Sequence, residues 1–437
     1  MNGWWKAVLP GLLLCVSAGA APPESLTGRW SVSADLYGER LFMELQLEQQ
    51  GDALTGTYDG GKLTGTRSGK HMHVVAQDGD SDSVTDTLEA DYADGKLTGI
   101  ALESDADDPD HQTRYSFTAV RVAEPKAGPP KRHDFKPQVF YREFSPFNQP
   151  VLRIDSGDTV HTTTVDAAGV DGDKRKVSLG GNPQTGPFYV EQASPGDTLA
   201  VHLVKVSLNR DYALSDDGLV PRALDGDLAV TTKDLGKTVR WHLDRQRNVA
   251  SLEKPGEHTA HYEVPVRAML GCIATAPPPV AFARPSGDSG RFGGNMDFNQ
   301  IVEGATVYLP VAVPGALLYL GDGHALQGDG EVNGNALETS LDVEFTVEVI
   351  PAKQIPAPRV ESATRLTALS YEGSLDDAFR GATHNMSDWL TERYKLTPSE
   401  VAEVIGTAAH YEVAEVADRN AGIALSIEKD RLATLTQ

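Results

Sequence analysis

The chain has 437 residues, 40% of them hydrophobic, and a formal charge of −23 at pH 7. That length can hold two or three domains with a sizeable buried core, and the composition is that of a globular protein, not a disordered one. The acidic balance argues against a nucleic-acid or anionic-membrane partner, because both need a basic face.

Residues 1–20 have the pattern of a secretory signal peptide, with Lys6 in the positive region, a short apolar core from Ala7 to Val16 and Ala18-Gly19-Ala20 as a small-residue cleavage site. The apolar run is too short to span a bilayer and no other run is long enough, so no membrane span is expected. Cys15 follows Leu14 instead of a small residue, which argues against a lipid anchor. Removing the peptide leaves Cys272 as the only cysteine, so no internal disulfide is expected, and the compartment reads as periplasmic or secreted.

Residues 24–122 read as a separate antiparallel β-barrel or sandwich. Leu41, Met43, Leu45 and Leu47 alternate on one face, and Tyr115 to Val122 reads as a closing strand. Three similar segments read as turns: Asp52–Thr57, Gly61–Thr66 and Gly95–Ile100, each with Leu-Thr-Gly at its centre. Asp78 to Glu89 places acids at several positions of a calcium-binding EF-hand loop, but Ser83 stands where the sharp turn needs glycine, and an acidic hairpin tip is the better reading.

Residues 123–137 are proline-rich and read as a linker. The region 138–437 reads as mainly β with a helical tail. Asp158 and Asp197 each sit in a Gly-Asp-Thr turn and are expected to shape it. In the tail, Ser374 with Asp377 makes an N-cap, and Thr397-Pro398-Ser399-Glu400 makes a capping box with proline at the first helical position. Cys272, alone in an apolar run, is expected to be a small buried hydrophobe.

The densest polar stretch is Gly321-Asp322-Gly323-His324-Ala325-Leu326-Gln327-Gly328-Asp329-Gly330-Glu331, after an apolar run from Ala316 to Leu320. In an extended chain residues two apart share a face, pairing Asp322 with His324 and Asp329 with Glu331. Carboxylate beside imidazole suits a metal such as zinc or a general acid/base pair. A glycine-rich hairpin loop whose acids face water has the same composition.

Several blocks taken in order resemble the acetamidase/formamidase family. They are Val151 to Val160, Thr164-Val165-Asp166-Ala167, Asn182-Pro183-Gln184-Thr185-Gly186-Pro187, Pro195 to Val201, Gly293-Gly294-Asn295-Met296-Asp297, and the 321–331 stretch. The resemblance covers roughly 131–430. It implies a β-rich fold, hydrolysis of small linear amides to a carboxylate and ammonia at a metal-associated site, and homo-oligomeric assembly. The segment Val266 to Pro277 departs from the His- and Pro-rich stretch common in the family, which leaves room for a larger amide, and the amino-terminal β-domain is an addition to the family core.

On that resemblance Asp166, Asp322, His324 and Asp297 are expected to hold a divalent metal, zinc ahead of calcium. Glu331 and Asp329 are left for proton transfer or for orienting the ligands, and Asn295, Glu191 and Gln327 for contact with the substrate amide. The competing class is a non-catalytic amide- or metal-binding protein that keeps the same fold.

Overall fold

The computed structural model describes residues 24–77, 84–104, 111–279 and 283–435. The expected signal peptide, and Asp78 to Ser83 of the acidic hairpin tip, lie outside them. Among the described residues no helix is long and apolar enough to cross a membrane.

The first unit is a closed barrel of eight antiparallel strands. Closure comes from Gly28–Leu36, which pairs with Glu39–Gln50 on one edge and with Gln112–Arg121 on the other. Alternation places Trp30, Val32, Leu45, Leu47, Leu63 and Phe117 inside, so the apolar face is sealed and no strand edge is left open. The Leu-Thr-Gly segments are not turns. They lie within the strands Ala53–Tyr58, Gly61–Ser68 and Lys96–Ser104, with Leu54, Leu63 and Leu97 in the core. Their glycines serve close strand approach: a Cβ on Gly56, Gly65 or Gly99 would stand 1.8, 2.1 or 2.0 Å from a neighbouring carbonyl oxygen.

The remainder is a sandwich of two large sheets. One runs in the order Ala409–Glu415, Ala421–Glu428, Arg365–Glu372, Arg359–Glu361, Thr306–Pro310, Thr198–Leu208, Leu341–Ile350, Thr159–Thr163 and Arg132–Asp134. Its last strand lies inside the stretch read as a linker, paired in parallel with Thr159–Thr163. The other sheet has Leu318–His324 at its centre, flanked by Met269–Ala274, Gln184–Val190 and the short Glu338–Thr339. Leu199, Val201, Val343 and Phe345 from the first sheet meet Ile273, Leu318 and Leu320 from the second in one core.

Asp158 and Asp197 shape turns as expected. Asp158 accepts from the amides of Lys131 and Asp155, and Asp197 from those of Ser194 and Ala352. Asp197 also pairs with Arg29 of the barrel at 2.5 Å, tying the two units together. The helix Leu375–Tyr394 is capped by Ser374, and Pro398–Ala408 by the Thr397/Glu400 box. Ala378, Ala382, Met386 and Leu390 bury the first helix against Arg365–Glu372 and Ala421–Glu428.

The barrel glycines give a direct test of this packing. Gly99→Ala should lower unfolding free energy by about 1–3 kcal/mol, the usual cost of overpacking, read by denaturant titration. A change below about 0.5 kcal/mol, the level of a neutral surface substitution, would contradict the close approach.

Candidate active site

The site is built around Leu318–His324. From sequence the strand-like run is Ala316 to Leu320, with the glycines after it open between a hairpin loop and a site. Instead the strand continues to His324, and Ala316 and Leu317 make the turn, with φ of +57° and +53°. Gly321 and Gly323 serve packing: a Cβ would meet Gln184 Oε1 at 2.6 Å in the first case and Leu341 Cγ at 2.6 Å in the second.

Extended backbone puts Asp322 and His324 on one side, as expected, with Asp322 Oδ2 3.4 Å from His324 Nε2. Pairing with Glu338–Thr339 sets Glu338 opposite His324, its Oε1 3.0 Å from Nε2. Glu331 Oε1 lies 4.0 Å from the same nitrogen, and Asp297 Oδ1 lies 3.8 Å from Nδ1. Gly271, on the neighbouring strand, makes the space. Its Cβ would stand 2.4 Å from Asp297 Oδ1, 2.6 Å from Asp322 Oδ2 and 2.9 Å from His324 Cε1. A second acidic group adjoins this one, formed by Asp297 with Glu415 and Asp418 from the far end of the chain.

The acids are held by amides. Gln184 Nε2 donates to Asn182 Oδ1 at 2.9 Å, and Asn182 Nδ2 donates to Asn295 Oδ1 at 2.5 Å. Asn295 Nδ2 then donates to Asp297 Oδ2 and Asp418 Oδ2, both at 2.6 Å. Gln327 Nε2 donates to the Asp297 carbonyl, which turns Gln327 Oε1 toward His324 Nδ1 at 2.9 Å. Nδ1 must therefore donate, and in the neutral ring the lone pair sits on Nε2, aimed at Asp322 and Glu338. Backbone geometry around the site is strained: Asp297, Asp322 and Glu331 have φ of +43°, +53° and +48°. Each such residue costs on the order of 1–3 kcal/mol and is typical of functional sites.

Two other expected site residues lie apart. Asp329 is exposed and accepts from Asn299 Nδ2 at 2.7 Å, because Gly328 to Gly330 turn and separate it from buried Glu331. Glu191 is engaged by Arg153 at 2.8 Å, with that guanidinium over the Tyr189 ring, so it faces the surface and not the cluster. Asp166 is buried, pairs with Arg210 Nη2 at 2.8 Å and lines a small cavity together with Glu338. Glu338, Glu415, Asp418 and Gly271 were missed, since only strand register and chain return bring them to His324. Cys272 is free and buried, its thiol pushed up by burial and by Asp322.

Charge is the unusual feature. Asp297, Asp322, Glu331 and Glu338 surround one imidazole, Glu415 and Asp418 adjoin them through Asp297, and among the described residues no lysine or arginine side chain forms an ion pair with any of the six. Burial, then neighbouring carboxylates, push Asp297 and Glu331 well above the usual range. Glu338 is pushed up to about 7, Glu415 to about 8 and Asp418 to about 6, burial leading in each. Burial alone would lower the His324 pKa, but Glu338 and Asp322 outweigh it and raise it. Asp297 Oδ1, Glu338 Oε2 and Glu415 Oε2 are buried without a hydrogen-bond partner, and His324 Nε2 faces only carboxyl oxygens. Such atoms are costly unless something pairs with them. An oxygen-rich set with one imidazole, its Nδ1 anchored by an amide oxygen, fits a divalent cation. Asp322, His324 and Asp297 would hold it, with Glu331 and Glu338 in reach.

A two-sheet β protein with a buried, His-centred acidic site is the class that fold and site define. Residues 283–363 match the model of the Acetamidase/Formamidase family. A putative formamidase of Schizosaccharomyces pombe is 54% identical over 123 residues, 25% of this chain and 29% of that protein. A formamidase of Methylophilus methylotrophus is 27% identical over 289 residues, 51% of this chain and 70% of that protein. Among solved structures, a predicted acetamidase/formamidase from Thermoanaerobacter tengcongensis aligns with a TM-score of 0.60 at 27% identity, over 70% of this chain and 99% of that one. An acetamidase from Bacillus halodurans aligns with a TM-score of 0.58 at 26% identity, over 69% of this chain and 99% of that one. The two-sheet region after the barrel is thus similar in sequence and in fold to the acetamidase/formamidase family.

The electrostatics set a pH dependence. Carboxyls with raised pKa hold their protons to higher pH in the folded chain than in the unfolded one, and raised His324 acts in the same direction. The fold's stability is therefore lost as pH rises. In chelator, the melting temperature should fall between about pH 5 and about pH 8, and a divalent cation should restore it far more at the higher pH. A melting temperature that rises over this range in chelator would contradict the charge assignment. Gly271→Ala should reduce the cation's stabilising effect, measured in the same melts.

Proposed function

We propose that this chain hydrolyses the C–N bond of small linear amides to a carboxylate and ammonia at the His324 cluster, with a divalent cation held there, zinc ahead of calcium. The observation that carries the reading is the convergence on His324 of buried carboxyls with partnerless oxygens, Asp297 Oδ1 and Glu338 Oε2, in a chain with formamidase relatives. When bound, the cation would polarise the amide carbonyl and lower the pKa of a water.

The protein's own groups supply the rest. Asp322 and Asp297 place carboxyl oxygens beside His324, and Gln327 sets the tautomer of its ring. Glu338 lines a cavity of about 160 Å³ together with Asp166, Ala167, Leu214 and Asn335, which gives it direct access to a small ligand. Poised near neutrality, it can take a proton from the attacking water and return it to the leaving nitrogen. Glu331, whose Oε1 accepts from the Ala336 amide at 2.8 Å, is held in one orientation and supports the cluster. Asn295, tied to two carboxylates, orders them and is not free to meet substrate. A periplasmic or secreted location belongs to the same proposal and is supported by the pattern of residues 1–20.

Ammonia release from formamide and acetamide tests the reading. Glu338→Gln should lower kcat by about 10²–10⁴-fold, the range for loss of a general acid/base, while the melting profile with cation stays near that of the unaltered chain. Full turnover after substitution of Glu338 would overturn its role, and full turnover after complete chelation would overturn the cation's.

A further inference from the structure

Next to the acidic cluster the surface opens into a groove of about 430 Å³ that the hydrolysis of a one- or two-carbon amide leaves unused. Its wall is formed by Trp241, Tyr262, Leu252 and Val264 from the edge of the sheet, facing Leu326 and Leu337 from either side of the site loop. Trp241 and Tyr262 meet edge to face, with centroids 6.2 Å apart at 62°. Trp241 Nε1 donates to Ser215 Oγ at 2.9 Å, which fixes the indole, and Tyr262 is 52% exposed.

Two contacts join the groove to the site. Gln327, which holds His324 in its tautomer, lines it directly. Ser215 and Asp216 line both this groove and the cavity that reaches Glu338, so the two spaces adjoin at the end of Tyr212–Asp216. A rigid, half-exposed aromatic pair beside a polar reaction centre is the wall an aromatic ring fits, since edge and face contacts add to burial.

We propose that the groove binds an aromatic group on the acyl side of the amide, making arylalkyl primary amides the preferred substrate class. This rests on the amidase reading above. The reaction balances as one water consumed per amide: its oxygen bonds to the acyl carbon, the C–N bond breaks, and the arylalkyl carboxylate and ammonium leave. Ring contacts made in both ground and transition state lower KM more than they raise kcat.

Steady-state kinetics with phenylacetamide and acetamide, on the full chain supplied with cation, test it. The ratio of kcat/KM for phenylacetamide to that for acetamide should be about ten or more, and Trp241→Ala should cut that ratio about tenfold, mainly through KM. A preference for acetamide, or a ratio unmoved by the substitution, overturns the proposal. Tryptophan emission titrated with phenylacetamide separates this from failure of the amidase reading. Saturable change that is lost in Trp241→Phe, with no amide turned over, keeps the groove and sinks the amidase reading. No saturable change overturns the groove whatever the turnover.

Discussion

Four buried carboxyls crowd one imidazole, two more adjoin them through Asp297, and among the described residues no lysine or arginine forms an ion pair with any of them; the surrounding structure is arranged around that constraint. Isolated buried charge is expensive enough that such groups shift their pKa, pair, or bind a cation. Here the acids are held at close range by structure that resists their repulsion. Asn182, Gln184 and Asn295 form a line of amide donors that ends on Asp297 and Asp418. Left-handed backbone at Asp297, Asp322 and Glu331 bends three of the acids inward. A scaffold that only needed a stable core would replace these groups with apolar ones.

The two-sheet fold supplies the geometry. Register along Met269–Ala274 and Leu318–His324 sets Gly271 beside Asp322, and the missing side chain becomes the room the acids occupy. The short pairing of Glu338–Thr339 delivers Glu338 to His324, and the return of the chain through Ala409–Glu415 delivers Glu415 and Asp418. Tyr371 ties the two sheets at this point, donating to the Met296 carbonyl at 2.6 Å. Site and core are therefore one construction, and a change that shifts either sheet moves the acids.

Much of the fold was legible because it follows local rules. Alternation at Leu41 to Leu47, turn aspartates at 158 and 197, and caps at Ser374 and Thr397 all express short-range chemistry. The segments at Gly56, Gly65 and Gly99 were misread because glycine marks close strand approach as readily as a turn, and sequence does not separate the two. Asp322 beside His324 was legible from period-two geometry, whereas Asp329 beside Glu331 was not, since the same rule fails where Gly328 to Gly330 leave extended backbone. Asp166 and Glu191 looked available until folding supplied Arg210 and Arg153. Glu338, Glu415 and Asp418 carry no motif, and only long-range pairing assigns them.

The central claim is that this buried acidic space is a cation site used for hydrolysis. Elemental analysis of the purified full chain and of His324→Ala, with ammonia release measured on the same samples, tests it most directly. The account predicts at least about one divalent ion per chain, lost together with turnover when His324 is replaced. A chain free of divalent metal that releases ammonia from amides at the full rate would contradict it.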